Sequence, residues 1–388
     1  MSGFKSKKRF LDTSMSFSTL ITHENPPVYS KSNLLLASRV AADDDIDGSI
    51  LPGLPDDVAK YCLALVPRRY LPAMGAVCKK WRSFLKTKEF ITVRKLAGLL
   101  EEWLFCPNYG FWRKRKPVEG SGLFGESNVS FFRQCLVLQR LGLGVGVLNG
   151  KLLVMAGCSV INGTRTASAD VYAYDCYLNS WSKLSSMNVA RYDFACAEVD
   201  DRVYAAGGHG TGGESLSSVE MYDPDTDRWT LIESLRRPRW GCFACGLEGK
   251  LYVMGGRSAF TIGNSRFVDV YSTEKHTWCE MKNGRVMVTA HAVLGKKLFC
   301  MEWRNQRKLS IFNPEDSSWK TVSVPLTGNS SIEFRFGILD GKLLLFSLKE
   351  EPGYRTLVYD PNASPGSEWC ASDIKPSARC VRCLTIKA

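Results

Sequence analysis

From about residue 141 onward, short stretches of alternating apolar and polar residues follow one another, separated by turn signals such as Asp223-Pro224-Asp225 and Asn313-Pro314. The stretches recur in register. One anchor is a turn, a basic residue and a short apolar strand, as in Asn149-Gly150-Lys151-Leu152-Leu153, Asp201-Arg202-Val203-Tyr204 and Glu248-Gly249-Lys250-Leu251-Tyr252. It returns at Lys297-Leu298-Phe299 and Asp340-Gly341-Lys342-Leu343, so the basic residues 151, 202, 250, 297 and 342 stand 51, 48, 47 and 45 apart. A second anchor sets an aromatic residue seven positions before a tryptophan: Tyr174/Trp181, Tyr222/Trp229, Tyr271/Trp278 and Phe312/Trp319, with Tyr359/Trp369 spaced by ten. A period in the range of roughly 20 to 50 residues predicts a solenoid or a propeller.

Each unit divides into four short strands, and none contains a crossover helix, which argues against a parallel βαβ sheet. Four-stranded units of this period predict propeller blades, with the recurring aromatic residues packed between neighbouring blades. Gly207-Gly208 and Gly255-Gly256 end a strand where the backbone must turn tightly. Diglycine, then tyrosine, then tryptophan resembles the kelch motif. The resemblance is carried by register alone where Ala156-Gly157, Met301-Glu302 and Ser347-Leu348 replace the diglycine. The readable repeats are 141–187, 188–236, 237–284, 285–326 and 327–372. Glu101-Glu102-Trp103-Leu104-Phe105 resembles a second strand with no first strand before it, and residues 380–386 resemble a lone first strand. The terminal strand 379–386 is therefore expected to complete a first blade at 100–140, giving six blades without an open edge. Between Pro107 and Leu141 the repeat landmarks are missing, the composition that a pair of compensating frameshifts would leave.

Upstream of the repeats the pattern changes period. Leu51-Pro52-Gly53-Leu54-Pro55-Asp56-Asp57-Val58 opens a helix with proline-set turns and acidic residues. Val58, Cys62 and Leu65 follow at helical spacing before Pro67, and a second helix from about Pro72 carries Met74, Val77, Cys78, Trp81 and Leu85. So small a helical unit buries little apolar area and suits docking on a partner better than independence. Leu54-Pro55-Asp56-Asp57, Val66-Pro67-Arg68, Leu71 and Val77-Cys78-Lys79-Lys80-Trp81-Arg82 resemble an F-box. The expected organisation is a disordered tail at 1–47, an F-box module at 48–95 and a mainly β, six-bladed kelch-type propeller at 96–388.

Composition narrows the function. The 388 residues contain no apolar run long enough to cross a membrane, and the polar, basic start argues against a secretory signal. The 14 cysteines are scattered, which predicts reduced thiols in the cytoplasm or nucleus. Lys5, Lys7, Lys8 and Arg9 read as part of a solvated tail rather than as a nuclear import signal. A net charge of +12 fits either nucleic acid or an acidic protein partner.

Catalytic signatures are weak. The four histidines, His23, His209, His276 and His291, fall at unrelated repeat positions, and no copper-oxidase-like His/Tyr/Cys set stands out. Cys242/Cys245 and Cys380/Cys383 have zinc-like spacing, but residues three apart on a strand face opposite ways, so no metal is expected. Gly208-His209-Gly210-Thr211-Gly212-Gly213 matches a phosphate-loop pattern without its strand–helix context. No cofactor is expected.

A surface pattern remains. Arg140, Arg191 and Arg239 each precede a basic anchor by 11 residues and Arg285 precedes one by 12, with Tyr192 and Trp240 alongside. Equal offset places them at one end of the ring. Either they grip an acidic or partly acidic target segment, or each ties down its own loop. A nucleic-acid ligand is disfavoured because these arginines lack an interleaved stacking platform. The F-box/kelch resemblance, plant type, implies a non-catalytic, substrate-recruiting subunit of an SCF-type ubiquitin ligase. It docks through a Skp-type adaptor on a cullin scaffold, with Leu54, Pro55, Leu65, Leu71, Val77 and Trp81 forming or supporting the docking surface. The competing expectation is a kelch scaffold with no ligase role.

Overall fold

The computed structural model describes residues 49–99, 102–106, 110–114, 124–127, 140–258, 265–285, 287–302, 308–325, 334–347, 356–372 and 384–387. The expected tail at 1–47, the Cys380/Cys383 pair and much of 107–141 lie outside them.

The chain opens with helix α1 (Asp56–Ala64), a 3-10 turn (Arg68–Tyr70), α2 (Leu71–Val77), α3 (Lys79–Leu85) and α4 (Lys88–Leu96). Asp56 and Asp57 occupy the first turn of α1, where the helix dipole favours negative charge. The Thr87 hydroxyl caps α4 by accepting the Phe90 amide at 3.2 Å. The single second helix expected from the sequence is two helices. Cys78 is extended, with φ −150° and ψ 165°, and its Sγ accepts the Trp81 amide at 3.4 Å. This break re-aims Trp81, whose indole N–H donates to the Ile50 carbonyl at 2.9 Å.

Five antiparallel four-stranded sheets follow from consecutive stretches of chain and form kelch-type blades. Blade A comprises Gly144–Leu148, Lys151–Met155, Val171–Asp175 and Ser180–Leu184. Blade B comprises Ala195–Val199, Arg202–Ala206, Val219–Asp223 and Arg228–Ile232; blade C, Trp240–Leu247, Lys250–Arg257, Val268–Ser272 and Thr277–Met281. Blade D is Val288–Leu294, Lys297–Glu302, Lys308–Asn313 and Ser318–Ser323, and blade E is Phe334–Leu339, Lys342–Ser347, Thr356–Tyr359 and Trp369–Ser372. Another four-stranded sheet joins Leu384–Lys387 to Glu102–Cys106, followed by Gly110–Lys114 and Phe124–Ser127. Trp103 pairs with Ile386 and Leu104 with Thr385, and this sheet approaches the innermost strands of blades E and A.

The sequence anchors have structural reasons. Every basic anchor begins the second strand of its blade. All five aromatic–tryptophan pairs are direct cross-strand neighbours between third and fourth strands, including Tyr359↔Trp369, where the turn is longer. Such pairs stabilise a hairpin by about 0.2–1 kcal/mol beyond Ala–Ala. They also fill the spaces between blades: Tyr222 and Trp229 pack with Leu153 and Val171 of blade A, and Tyr271 and Trp278 with Val199 and Val219 of blade B. The indoles of Trp229 and Trp278 donate to carbonyls at the end of the preceding blade, Ser185 at 3.1 Å and Glu233 at 2.8 Å.

The helices and blade A share one core. Leu63, Leu71, Phe84, Leu85 and Phe90 pack with Val145, Leu152, Val154, Tyr174 and Tyr177. Phe90 meets Tyr177 edge-on at 5.1 Å, and the Arg68 guanidinium donates to the Cys176 carbonyl at 2.6 Å. The fully buried Phe90 therefore belongs to both parts. Phe90→Ala is expected to cost about 3–5 kcal/mol and to lower a single cooperative transition in thermal or denaturant unfolding. Two separate transitions, with only the smaller one moved, would show that the seam does not couple the parts.

Candidate functional site

Helix α1 is apolar on two faces. Ala59, Leu63 and Ala64 are buried against the shared core, while Val58, Tyr61 and Leu65 are 43%, 47% and 45% exposed. The stripe Val58, Cys62, Leu65 seen in the sequence is thus the outer face, not the core face. Leu54, Pro55 and Val77 are exposed with it, and so is Tyr70. Of the two roles offered for Leu71, forming or supporting the docking surface, its complete burial in the core leaves only support. Trp81 is half-buried, its indole spent on Ile50. These two hold the helices that present the others.

The arginine set also needs correction. Arg191 and Arg239 are not surface ligands but buried clamps, 0% and 1% exposed. Arg191 donates to the carbonyls of Gly207 (2.8 Å) and Ser218 (3.0 Å), to the Ser218 hydroxyl and to Glu220 at 2.7 Å. Glu220 is equally buried and also accepts the amides of Asn188 and Val189 and the Asn188 side chain. Arg239 repeats the pattern one blade on, donating to the Gly255 and Phe267 carbonyls and to Asp269 at 2.6 Å. Tyr192 is buried, and Trp240 is half-buried.

Arg140 and Arg285 are more open, but each has an acid. Arg140 bonds Ser168 at 2.6 Å and Asp170 at 2.9 Å; Arg285 lies 3.5 Å from Glu302 and over the Trp319 ring. The diglycine explains itself here. The Gly208 amide donates to the carbonyl of Arg239, and a Cβ at Gly207 (φ 66°) would fall 2.4 Å from that oxygen. The sequence offered two roles for these arginines, and for Arg191 and Arg239 the structure selects loop-tying.

The remaining chemistry is quiet. Cys242 and Cys245 pack into different cores on opposite sides of blade C, and burial pushes their thiols up to about 11 and about 12. Among the described residues no group of three or more His, Cys, Asp or Glu side chains could hold a metal ion. His209, His276 and His291 each lie against a different aromatic ring, namely Tyr192 with Trp240, Tyr271 and Phe243.

The two ends of the propeller differ. The helices meet the strand turns at Cys176–Leu178, and Lys88 pairs with Asp201 at 3.2 Å. Strands in blade A run away from that contact for five residues, roughly 17 Å, before reaching the opposite end. There a two-stranded hairpin, Cys158–Ile161 with Thr164–Ala167, projects with Val160 50% and Ile161 65% exposed. The sequence reading passed over it, although Asn162-Gly163, with φ 50° and 79°, is the standard signal for a tight hairpin.

With these features in place, the comparisons are specific. The F-box domain model matches residues 51–92, and kelch motif models match 139–188, 190–236 and 238–284, the spans of blades A, B and C. An F-box/kelch-repeat protein of Arabidopsis thaliana is 57% identical over 360 residues, covering 93% of this chain and 95% of its own length. This chain belongs to the F-box/kelch-repeat family. A putative F-box/kelch-repeat protein of the same plant is 37% identical over 344 residues, covering 85% of this chain and 94% of the relative. The architecture of an F-box/kelch protein is typical of a non-catalytic recognition subunit, and the F-box match reaches all four helices.

Two expectations follow for this F-box/kelch protein. Glu220→Gln leaves the Arg191 charge buried without its partner and is expected to cost about 3–5 kcal/mol, read as a lowered unfolding midpoint. Arg140 holds the Asp170 carboxyl down at about 2. Its stabilising contribution is therefore complete above the ordinary carboxylate range, about pH 4, and is lost as pH falls through about 2. Asp170→Asn should accordingly be less stable than the parent at neutral pH, with the gap closing over that acid window.

Proposed function

We propose that the chain recruits target proteins to an SCF-type ubiquitin ligase, its helices docking on a Skp-type adaptor and through it on a cullin scaffold. The observation that carries this reading is the outer face of α1. Val58, Tyr61 and Leu65 leave apolar side chains in water on or at the end of a helix whose other face is already packed, and Leu54, Pro55 and Val77 are exposed as well. Burying one such side chain contributes about 1.5–3 kcal/mol, so a few of them suffice to anchor a partner. Large exposed patches of this kind mark interaction sites.

The propeller would hold the target at the end opposite the helices. In this reading the sheet joining Glu102–Cys106, Gly110–Lys114 and Phe124–Ser127 to Leu384–Lys387 is the sixth blade that closes the ring, and the F-box module ends near residue 95. The chain itself performs no chemistry. A conjugating enzyme elsewhere in the complex supplies it, and the rate gain comes from holding target lysines nearby. A shared core between helices and blade A makes that geometry rigid, because the target end cannot swing relative to the adaptor end without breaking buried contacts.

The test is co-purification of the full-length chain with a Skp-type adaptor. Leu54→Ala/Pro55→Ala and Val58→Asp/Leu65→Asp should lose the adaptor while keeping the parent unfolding midpoint, since all four positions are exposed. Absence of adaptor from the unmutated chain would overturn the ligase reading and leave a propeller scaffold.

A further inference from the structure

On the end of the propeller away from the helices, five side chains from three blades stack in a row. The Arg165 guanidinium lies over the Tyr192 ring at 5.8 Å, Tyr192 lies 5.0 Å from His209, His209 lies 4.7 Å from Trp240, and Arg257 lies over Trp240 at 5.9 Å. The row is rigidly mounted. Tyr192 and His209 exchange both backbone hydrogen bonds, at 3.0 and 2.8 Å, and the His209 ring nitrogen Nδ1 is 2.9 Å from the Gly213 carbonyl. Tyr192 is buried, His209 and Trp240 are half-exposed, and the two arginines are exposed.

We propose that this row, together with the hairpin beside it, is the binding strip for an acidic target segment that carries an aliphatic side chain among its carboxylates. The inference rests on the target-recruiting reading above and names the substrate class for its free end. Three observations support it. The first is the cation–π placement: the Arg165 guanidinium sits 5.8 Å from the Tyr192 ring centroid, a contact that satisfies none of its N–H donors. Arg165 makes no hydrogen bond or ion pair to a described residue. The aromatic faces are occupied by one another, so His209 and Trp240 offer their rims, the positive part of the ring quadrupole.

The second observation is charge. Most acids at this end are already held: Asp170 by Arg140 and Lys183, Glu220 by Arg191, Asp269 by Arg239 and Glu302 by Arg285. Asp193, next to Tyr192, forms no ion pair with a described residue and lies with Arg165 near Cys158. Glu214, the carboxylate of the His209 loop, folds back over Gly210. An outside anion therefore competes for Arg165 chiefly with Asp193, which makes no direct ion pair with it. The third is the apolar neighbour. Val160 is the direct cross-strand partner of Arg165 and is 50% exposed, and Leu141, 53% exposed, bridges to Cys158 at the base of the same hairpin.

The interleaving of arginine and aromatic residues also alters the argument against nucleic acid. A stacking row does exist, built on Arg165 and Arg257 rather than on the clamps. Its ring faces are used internally, however, and a base needs an open face. An acidic peptide needs only the rims and the Arg165 fork.

The experiment selects binders from a random dodecapeptide display library on the immobilised full-length chain. Selection from the parent should enrich peptides with Asp or Glu flanking an aliphatic residue. Arg165→Glu and Arg165→Glu/Arg257→Glu should abolish or invert that acidic bias and weaken the parent-selected peptides about tenfold or more, as expected for a charge-assisted contact. Arg165→Lys should weaken them less, and Arg202→Glu, at the helix end, should change nothing. Both Arg165 and Arg202 are exposed, so unchanged unfolding midpoints certify the fold. No enrichment, an acid-poor set, a set unaffected by Arg165→Glu, or tighter binding of a labelled 15-mer oligothymidine than of the selected peptides would each overturn the proposal. Adaptor binding is scored separately on the same samples. Acidic-peptide selection with no adaptor would sink the ligase reading alone; adaptor binding without acidic selection would sink only the strip.

Discussion

The fold depends on a buried cation. Arg191 lies at the point where blade A gives way to blade B, and it satisfies the loose carbonyls of the tight turn after the second strand and the start of the third. A guanidinium without exposure is costly unless its charge and most of its donors find partners, and of the Arg191 donors Nε makes no hydrogen bond to a described residue. Glu220 provides the charge and at the same time caps the incoming loop at Asn188 and Val189. One ion pair thus fixes three stretches of chain; a blade later Arg239 again joins turn, strand and acid, although among the described residues Asp269 caps no loop amide and keeps one oxygen unpaired. The following blade's arginine carbonyl is in turn bound by the diglycine amide, so each clamp is tied to the next.

In blades A and D, where the motif decays, the clamp is rearranged rather than lost. Blade D has Ser310 at the position held by Glu220 and Asp269, and it has Glu302 where a glycine would end the second strand. Arg285 turns to that glutamate, and it is half-exposed rather than buried. In blade A the corresponding third-strand position is Tyr172, and the acid moves to Asp170 at the strand's entrance. The weaker motif therefore coincides with a more open, more soluble ion pair.

These constraints leave the two ends of the ring with different tasks. One end is welded to the helices through Phe90, Tyr177 and Arg68, which makes the outer face of α1 a fixed platform. The other end carries the loops and the hairpin, and there the side chains not consumed by clamps are half-exposed aromatics and stacked arginines. Rigidity at one end and presented chemistry at the other come from a single arrangement of strands.

Much of this was readable without coordinates. The 3.6- and 2-residue periods separated helices from blades, and the aromatic–tryptophan spacing located the third and fourth strands because residues facing each other across a tight turn must sit at a constant separation. Glycine doublets marked the turns because only glycine tolerates both the positive φ and the close carbonyl. What one dimension could not decide was which way a side chain faces once elements meet. Helical spacing alone could not say that Val58, Cys62 and Leu65 lie outside; Leu71 could have formed or supported the docking surface and lies inside as a support; Arg191 and Arg239 could have been ligands or loop ties and are buried struts. Burial is set by what packs against a residue from distant parts of the chain, and a local period carries no record of that. The sequence alone determined the elements, their order and the repeat; only the tertiary structure decided which surface each residue serves.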